Sequence, residues 1–221
     1  IGHSLFGIPK KIARVREQSY LQPEWSNLFS RAHMPIDVII SPEVIVANDI
    51  YQRLAVPGTT FVNVIAEGLA HMIGVVCEED CPVVNTPLGQ LHSLFPDLSF
   101  QVLAILRKNK PIIPDETDQL EVGDEVYFIV DTDHLKRVMT AFGHEESEAR
   151  KIIIAGGGNI GITLAKLIKE RSKSVQIKLI EQNQERAEFL SEHLENTIIL
   201  NGSSLDKDIL EEASITSAET L

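Results

Sequence analysis

The sequence predicts an α/β chain in which two truncated parallel-sheet lobes flank a small α+β module, and three observations carry that prediction. Residues 151–221 alternate short β-branched runs with helical patterns, the rhythm of a parallel sheet with right-handed crossovers. Residues 1–57 show a shorter βαβα run of the same kind. Between them, residues 58–143 string together several short strands with few helices and repeated turn signals. At 221 residues the chain is long enough for more than one folding unit.

In the first segment, Ile12-Ala-Arg-Val-Arg16 alternates apolar and charged residues, as a half-exposed strand does. Pro23 to Arg31 reads as a helix, with Pro23 suited to its first turn and Trp25, Leu28 and Phe29 at core or interface spacing. Val38-Ile-Ile40 reads as a short buried strand. Ser41 then fits an N-cap and Pro42 the first helical position. Val46, Ile50 and Leu54 recur on one face of that helix, which is expected to stop before Pro57-Gly58.

The middle module opens with a strand pair, Phe61–Ile65 and His71–Cys77, turning at Glu67-Gly68. A short helix is expected at Thr86–Leu91, a strand at Phe100–Leu106, and a polar turn at Arg107–Lys110. Gly123-Asp124 signals a turn before the apolar strand Val126–Val130, and Thr132 to Leu135 opens a closing helix. The polar stretch 144–150 is the expected linker. In the third segment the strands are Ile152–Ala155, Val175–Ile180 and Thr197–Leu200, with helices after each. Ile1 begins just before an apparent strand and Leu221 stops in mid-pattern, so the chain is expected to be an internal piece of a longer polypeptide.

Composition narrows the function. The formal charge of −12 and the sparse aromatics, 5% of residues, argue against a nucleic-acid surface. Such a surface needs Lys and Arg against phosphates and rings against bases. The same charge disfavours direct attachment to anionic lipid. No stretch approaches the roughly 18 uninterrupted apolar residues of a membrane-spanning helix. Two cysteines, Cys77 and Cys81, fit a reducing cytoplasm.

The chemistry concentrates in Ile152-Ile-Ile-Ala-Gly156-Gly157-Gly158-Asn159-Ile160-Gly161. Gly156, Gly158 and Gly161 meet the G-x-G-x-x-G spacing of a Rossmann-like dinucleotide lobe. Gly156 allows the tight turn off the strand, Gly158 lets backbone N–H groups approach a pyrophosphate, and Gly161 lets the helix sit close on the sheet. The helix start aims its positive end at the phosphates. Ile160, Leu164, Leu167 and Ile168 follow the helical period.

Glu181 closes the second strand, where it can accept hydrogen bonds from ribose hydroxyls and would repel a 2′-phosphate. Asn159 cannot pair with a γ-phosphate as a basic residue would, which favours NAD(H) over ATP or ADP. Gly202-Ser203-Ser204 either lines an adenine edge or ribose, or caps the next helix through Ser203 over Asp206. Arg186 reads as a solvated helix residue ahead of a nucleotide contact.

Other candidates are weaker. Cys77, Cys81, His71 and His92 are too encumbered by Glu78, Glu79 and Asp80 for a zinc site to be assigned. The run Asp115, Glu116, Asp118, Glu121, Asp124, Glu125 lacks the register of a calcium loop and reads as a solvated loop. There is no G-x-S-x-G elbow, H-E-x-x-H pair or P-loop, so no catalytic residues and no metal ligands are assigned.

These motifs together resemble the regulator-of-potassium-conductance (RCK) family, and within it the tandem TrkA type with TrkA-N and TrkA-C domains. Residues Ile12–Glu17 and Ile36–Glu43 look like the end of a first nucleotide lobe with its crossover helix. Gly123-Asp-Glu-Val-Tyr-Phe-Ile129 looks like the TrkA-C signature, and Gly156–Gly161 with Glu181 and Gly202 opens a second lobe.

The resemblance implies a nucleotide site at Gly156, Gly157, Gly158, Asn159, Ile160, Gly161, Glu181, Gly202 and Ser203, the last standing where an acidic residue is common. It implies a non-enzymatic cytoplasmic subunit, peripheral to the inner face of the membrane, that forms a homo-oligomeric ring. A membrane potassium-transporting subunit, a Trk-type pore protein, would be its partner, gated by NAD(H) or, alternatively, ATP or ADP. Two other readings stay open: an NAD-dependent oxidoreductase fragment, or a nucleotide sensor for another transporter or efflux system.

Overall fold

A computed structural model of the chain describes residues 6–16, 20, 23–29 and 36–221. It is a mixed α/β structure with two parallel sheets and one antiparallel sheet. The chain divides into two units, Gln52–Glu148 and a discontinuous unit made of Ile1–Tyr51 and Ala149–Leu221.

In the discontinuous unit, β1 (Ile12–Arg14) and β2 (Val38–Ile40) form a two-stranded parallel pair. The buried strand expected at Val38–Ile40 is instead partly open, with Val38 37% and Ile40 39% exposed. Pro23–Phe29 forms a 3-10 helix rather than an α-helix, and Trp25 is half-exposed, packed edge-on against Tyr20 at 6.0 Å. Glu17, Ser30 and Arg31 lie outside the described residues. Helix α1 (Pro42–Ala55) begins at Pro42 as its sequence demands. Of its apolar stripe, Val46 and Ile50 remain exposed while Ala47 is fully buried.

The second part of this unit is a three-stranded parallel sheet in the order β10 (Thr197–Asn201), β9 (Gln176–Glu181), β8 (Lys151–Ala155). Ile152, Ile153 and Ile154 are all buried, the run of a strand covered on both faces. Helices α4 (Asn159–Arg171), α5 (Gln184–His193) and α6 (Lys207–Glu212) follow the three strands in turn. Helix α4 buries Ile162, Leu164, Ala165 and Ile168. Its first apolar residue, Ile160, is 38% exposed and belongs to the mouth of the turn rather than to the core. Thr220 bridges Ile152 in parallel and accepts the Ile153 N–H, so the end of the described chain lies along the free edge of β8.

The other unit is a five-stranded antiparallel sheet in the order β3 (Thr59–Ile65), β4 (Ala70–Val76), β7 (Glu125–Asp131), β5 (Phe100–Arg107), β6 (Lys110–Ile112). Strands β3 and β4 turn through Ala66, Glu67 and Gly68, all at positive φ. Lys108 and Asn109, also at positive φ, make the β5–β6 hairpin turn. The sequence showed that turn but not the three-residue strand after it.

Val126, Phe128 and Val130 alternate inward on β7 and join Leu91 of α2 (Leu88–Leu94) and Val138 and Met139 of α3 (Leu135–Ala141) in one core. Phe128 stacks on Phe142 at 4.8 Å, with Phe100 edge-on to both. Asp131 caps the closing turn by accepting the Asp133 N–H.

Two polar groups depart from the sequence reading in this unit. Asp124, expected in a solvated loop, is 1% exposed and takes a two-pronged bond from Arg107, Nε to Oδ1 at 2.8 Å and Nη2 to Oδ2 at 2.7 Å. It also accepts the Glu121 N–H. His144, expected in a solvated linker, is 8% exposed, with its ring nitrogens 3.1 Å from a Glu146 carboxylate oxygen and 3.2 Å from the Val76 carbonyl. The polar stretch 144–150 is therefore anchored at its first residue.

Candidate functional site

The turn from β8 into α4 is built by four glycines with different duties. Gly156 adopts φ +106, a conformation an L side chain rarely takes, and this sends the chain sharply off the strand. Its N–H donates to the Ile180 carbonyl on β9 at 2.8 Å, so the turn starts tied to the neighbouring strand. Gly157 is buried; a Cβ there would collide with Leu190 Cδ1 of α5 at 2.1 Å. Gly158 is the N-cap of α4, with extended backbone, and nothing lies within 4 Å of where its Cβ would stand. Gly161, one turn on, lies so close to the loop that a Cβ would come 2.1 Å from the Gly156 carbonyl oxygen.

Helix α4 runs 13 residues from Asn159, and none of the described side chains caps its start. Its leading N–H groups thus face outward at the carboxyl edge of a parallel sheet, an arrangement suited to an anion. Ile160 stands exposed beside them. The Asn159 side chain turns aside, donating to the Arg16 carbonyl at 3.2 Å.

Glu181 ends β9 beside this turn. One carboxylate oxygen accepts the Gly157 N–H at 2.8 Å and the other accepts the Asn183 N–H at 2.9 Å. Asn183 in turn caps α5 by accepting the Arg186 N–H at 2.8 Å. The end of β10 closes the third side: Gly202 N–H donates to the Glu181 carbonyl at 3.0 Å, and Asn201 Nδ2 donates to the same oxygen at 2.9 Å. Gly202 packs under α6, where a Cβ would meet Ile209 Cδ1 at 2.5 Å. Gly156, Gly157, Gly158, Gly161, Glu181 and Gly202 therefore meet at the carboxyl end of the parallel sheet, with Asn159, Ile160 and Ser203 next to them in the chain.

Three features lie outside the sequence reading. Ser203 does not cap α6; its hydroxyl accepts the Leu205 N–H, and Asp206 is the cap, accepting the Asp208 N–H. Arg186, read as a solvated helix residue, donates from Nε to the Gly157 carbonyl at 2.8 Å and lies over the Phe189 ring at 4.8 Å. Asn201 belongs to none of the sequence motifs, and its only local signal is a polar residue ending a strand beside a glycine.

The weaker candidates fall elsewhere. Cys77 and Cys81 are free thiols buried in the core of the antiparallel unit. Cys77 is pushed up by its hydrogen bond to Cys81 and by burial. His71 bonds Thr132, and His92 packs on Phe100 at 6.0 Å. Among the described residues no group of three or more His, Cys, Asp or Glu side chains is placed to hold a metal ion. No described helix is long and apolar enough to cross a membrane.

Two domain-family models match the chain. The TrkA-C domain model matches residues 72–143 and the TrkA-N domain model residues 152–221. The Trk system potassium uptake protein TrkA of Azorhizobium caulinodans is 45% identical over 221 residues, all of this chain and 48% of that protein. That of Halomonas elongata is 39% identical over 215 residues, 97% of this chain and 46% of that protein. The chain spans about half the length of the curated relatives it matches.

Among solved structures, the GsuK RCK domain covers 95% of the chain at TM-score 0.55 and 17% identity, over 42% of its own length. The GsuK channel bound to NAD covers 95% at TM-score 0.56 and 16% identity, over 35% of its own length. At those identities the likeness is one of fold. With both domain models matched in order and identity at 45% along its whole length, the chain belongs to the TrkA family.

Proposed function

We propose that this chain is a nucleotide-sensing part of the regulatory subunit of a Trk-type potassium-uptake system, binding NAD(H) at the β8–α4 turn and acting without catalysis. The observation that carries this reading is the start of α4: Gly158 and N–H groups that no described side chain caps, set beside a Glu181 carboxylate. A pyrophosphate suits the first and a ribose diol the second. Asn159 in place of a basic residue favours NAD(H), with ATP or ADP the alternative.

In this reading residues 151–221 are the front of one Rossmann-like lobe and residues 1–57 the back of another, with residues 58–143 the TrkA-C module and 144–150 the linker. The strand order β10-β9-β8, continued by Thr220 beside β8, supports it, because that is how a doubly wound nucleotide sheet begins. The relatives' names, potassium uptake proteins of a Trk system, support a potassium-transporting partner in the membrane, and the subunit would then sit at that membrane's inner face. A homo-oligomeric ring would convert nucleotide occupancy into a change of transport, a coupling free energy between two sites.

The test is calorimetric titration of NADH, NAD, ATP and ADP into the chain. NADH and NAD are expected to bind without turnover, and Glu181→Ala to weaken them about tenfold, the worth of the ribose hydrogen bonds. Equal affinity in the variant would remove Glu181 from the site, and no binding of any nucleotide would sink the proposal.

A further inference from the structure

We infer that Arg186 is a positioning residue of the nucleotide site, one that sets the orientation of the Gly157–Gly158 peptide and so aims the Gly158 N–H at the ligand's phosphate. The inference rests on the nucleotide-binding reading and adds a residue and a mechanism to it.

A trans peptide is planar, and its C=O and N–H point in opposite directions. The Gly157 carbonyl and the Gly158 N–H belong to one such plane. Arg186 Nε holds that carbonyl at 2.8 Å from the α5 side, so the Gly158 N–H points away from α5, toward the open ground at the start of α4. The preceding plane, Gly156–Gly157, is fixed separately, because its N–H is held by Glu181 at 2.8 Å. Two successive glycine peptides are thus each oriented by one charged side chain. Glycine backbones resist rotation little by themselves, so an external hold is what makes this loop rigid.

The hold is itself well supported. The Arg186 N–H is bound by the Asn183 side chain, the guanidinium lies over Phe189 at 4.8 Å, and Ala187 and Leu190 beside it are buried. Arg186 does not need to touch the nucleotide to matter. Its contribution is to remove a peptide rotation that the ligand would otherwise have to freeze, and that contribution falls on phosphate recognition alone.

This separates Arg186 from Glu181 experimentally. ADP and adenosine are titrated into the chain, with adenosine followed by ligand-observed NMR, using wild type, Arg186→Ala, Arg186→Lys and Phe189→Leu. Thermal melts check that each variant folds. Arg186→Ala is expected to weaken ADP about tenfold, the loss of one charge-assisted bond, while leaving adenosine unchanged. Arg186→Lys, able to donate one bond but without the rigid fork, should recover part of the ADP affinity, and Phe189→Leu should lose less than Arg186→Ala. Equal loss for ADP and adenosine, or no loss for ADP, would overturn the inference while leaving the site itself standing. Wild-type protein that binds neither ADP nor adenosine would overturn the inference, and the nucleotide-site reading falls with it only if NADH and NAD also fail to bind.

Discussion

Gly161→Ala is expected to weaken nucleotide binding on the order of a hundredfold, the effect of displacing a binding group by about 1 Å. A Cβ at this position would lie 2.1 Å from the Gly156 carbonyl oxygen and 3.2 Å from its carbon. These are backbone atoms, and they cannot step aside, because Gly156 and Gly157 are tied by their N–H groups to Ile180 and Glu181. Relief must come from α4 moving away from β8, which carries the leading N–H groups off their place.

Two effects on stability then compete. Alanine in a helix is favoured over glycine by about 1 kcal/mol. Overpacking costs about 1–3 kcal/mol. The collision is with backbone that cannot give, Ile154 at 3.4 Å making only ordinary contact, so the cost wins and the melting temperature should fall by a few degrees.

Gly158→Ala is the matching control: its φ of −66 and empty surroundings leave the fold untouched, so its melting temperature should equal the wild type's. Thermal melts with NADH titrations on both variants check this. Wild-type affinity in Gly161→Ala would mean that close packing of α4 on the turn is not what builds the site.

The contrast between these glycines also shows what the sequence could and could not reveal. Spacing alone placed Gly156, Gly158 and Gly161 on a strand-turn-helix, because the β-branched run Ile152–Ile154 and the helical period after Gly161 are local signals. The three parallel strands were legible for the same reason. What escaped were pairings between residues far apart in the chain. Arg186 lies 29 residues from Gly157, His144 68 from Val76, and Arg107 17 from Asp124. Each of these polar side chains stands in a polar stretch, where local pattern reads as solvent exposure. The Pro23–Phe29 segment failed differently: its first-turn proline and helical spacing suit a 3-10 helix as well as an α-helix. Strand β6 failed for brevity, three residues being too few to show alternation.

Asp124→Ala should destabilise the antiparallel unit by about 3 kcal/mol, because it removes a two-pronged charge-assisted bond and the acceptor of the Glu121 N–H, leaving Arg107 only Glu121 and the Gln119 carbonyl. For a unit of this size that corresponds to a drop of roughly 15 °C in melting temperature. Burial pushes the Asp124 carboxyl up, but the Arg107 bonds, the Glu121 N–H and the Arg107 charge together outweigh it and hold the group below its ordinary range.

The sign of the pH dependence follows. A carboxyl depressed in the folded state contributes stability that is fully present above its unfolded value, about 3.9, and is lost as pH falls through the folded value. The gap between wild type and Asp124→Ala should therefore be constant from pH 7 to about 5 and close progressively below pH 4.

Replacing both partners, as in Arg107→Met with Asp124→Leu, should recover much of the loss, since a buried ion pair exchanged for apolar side chains of similar bulk is often neutral. Urea unfolding of the three proteins at several pH values separates the possibilities. A gap that persists unchanged to pH 3 would show that Asp124 acts through packing and its hydrogen bonds in either protonation state, and not through its charge.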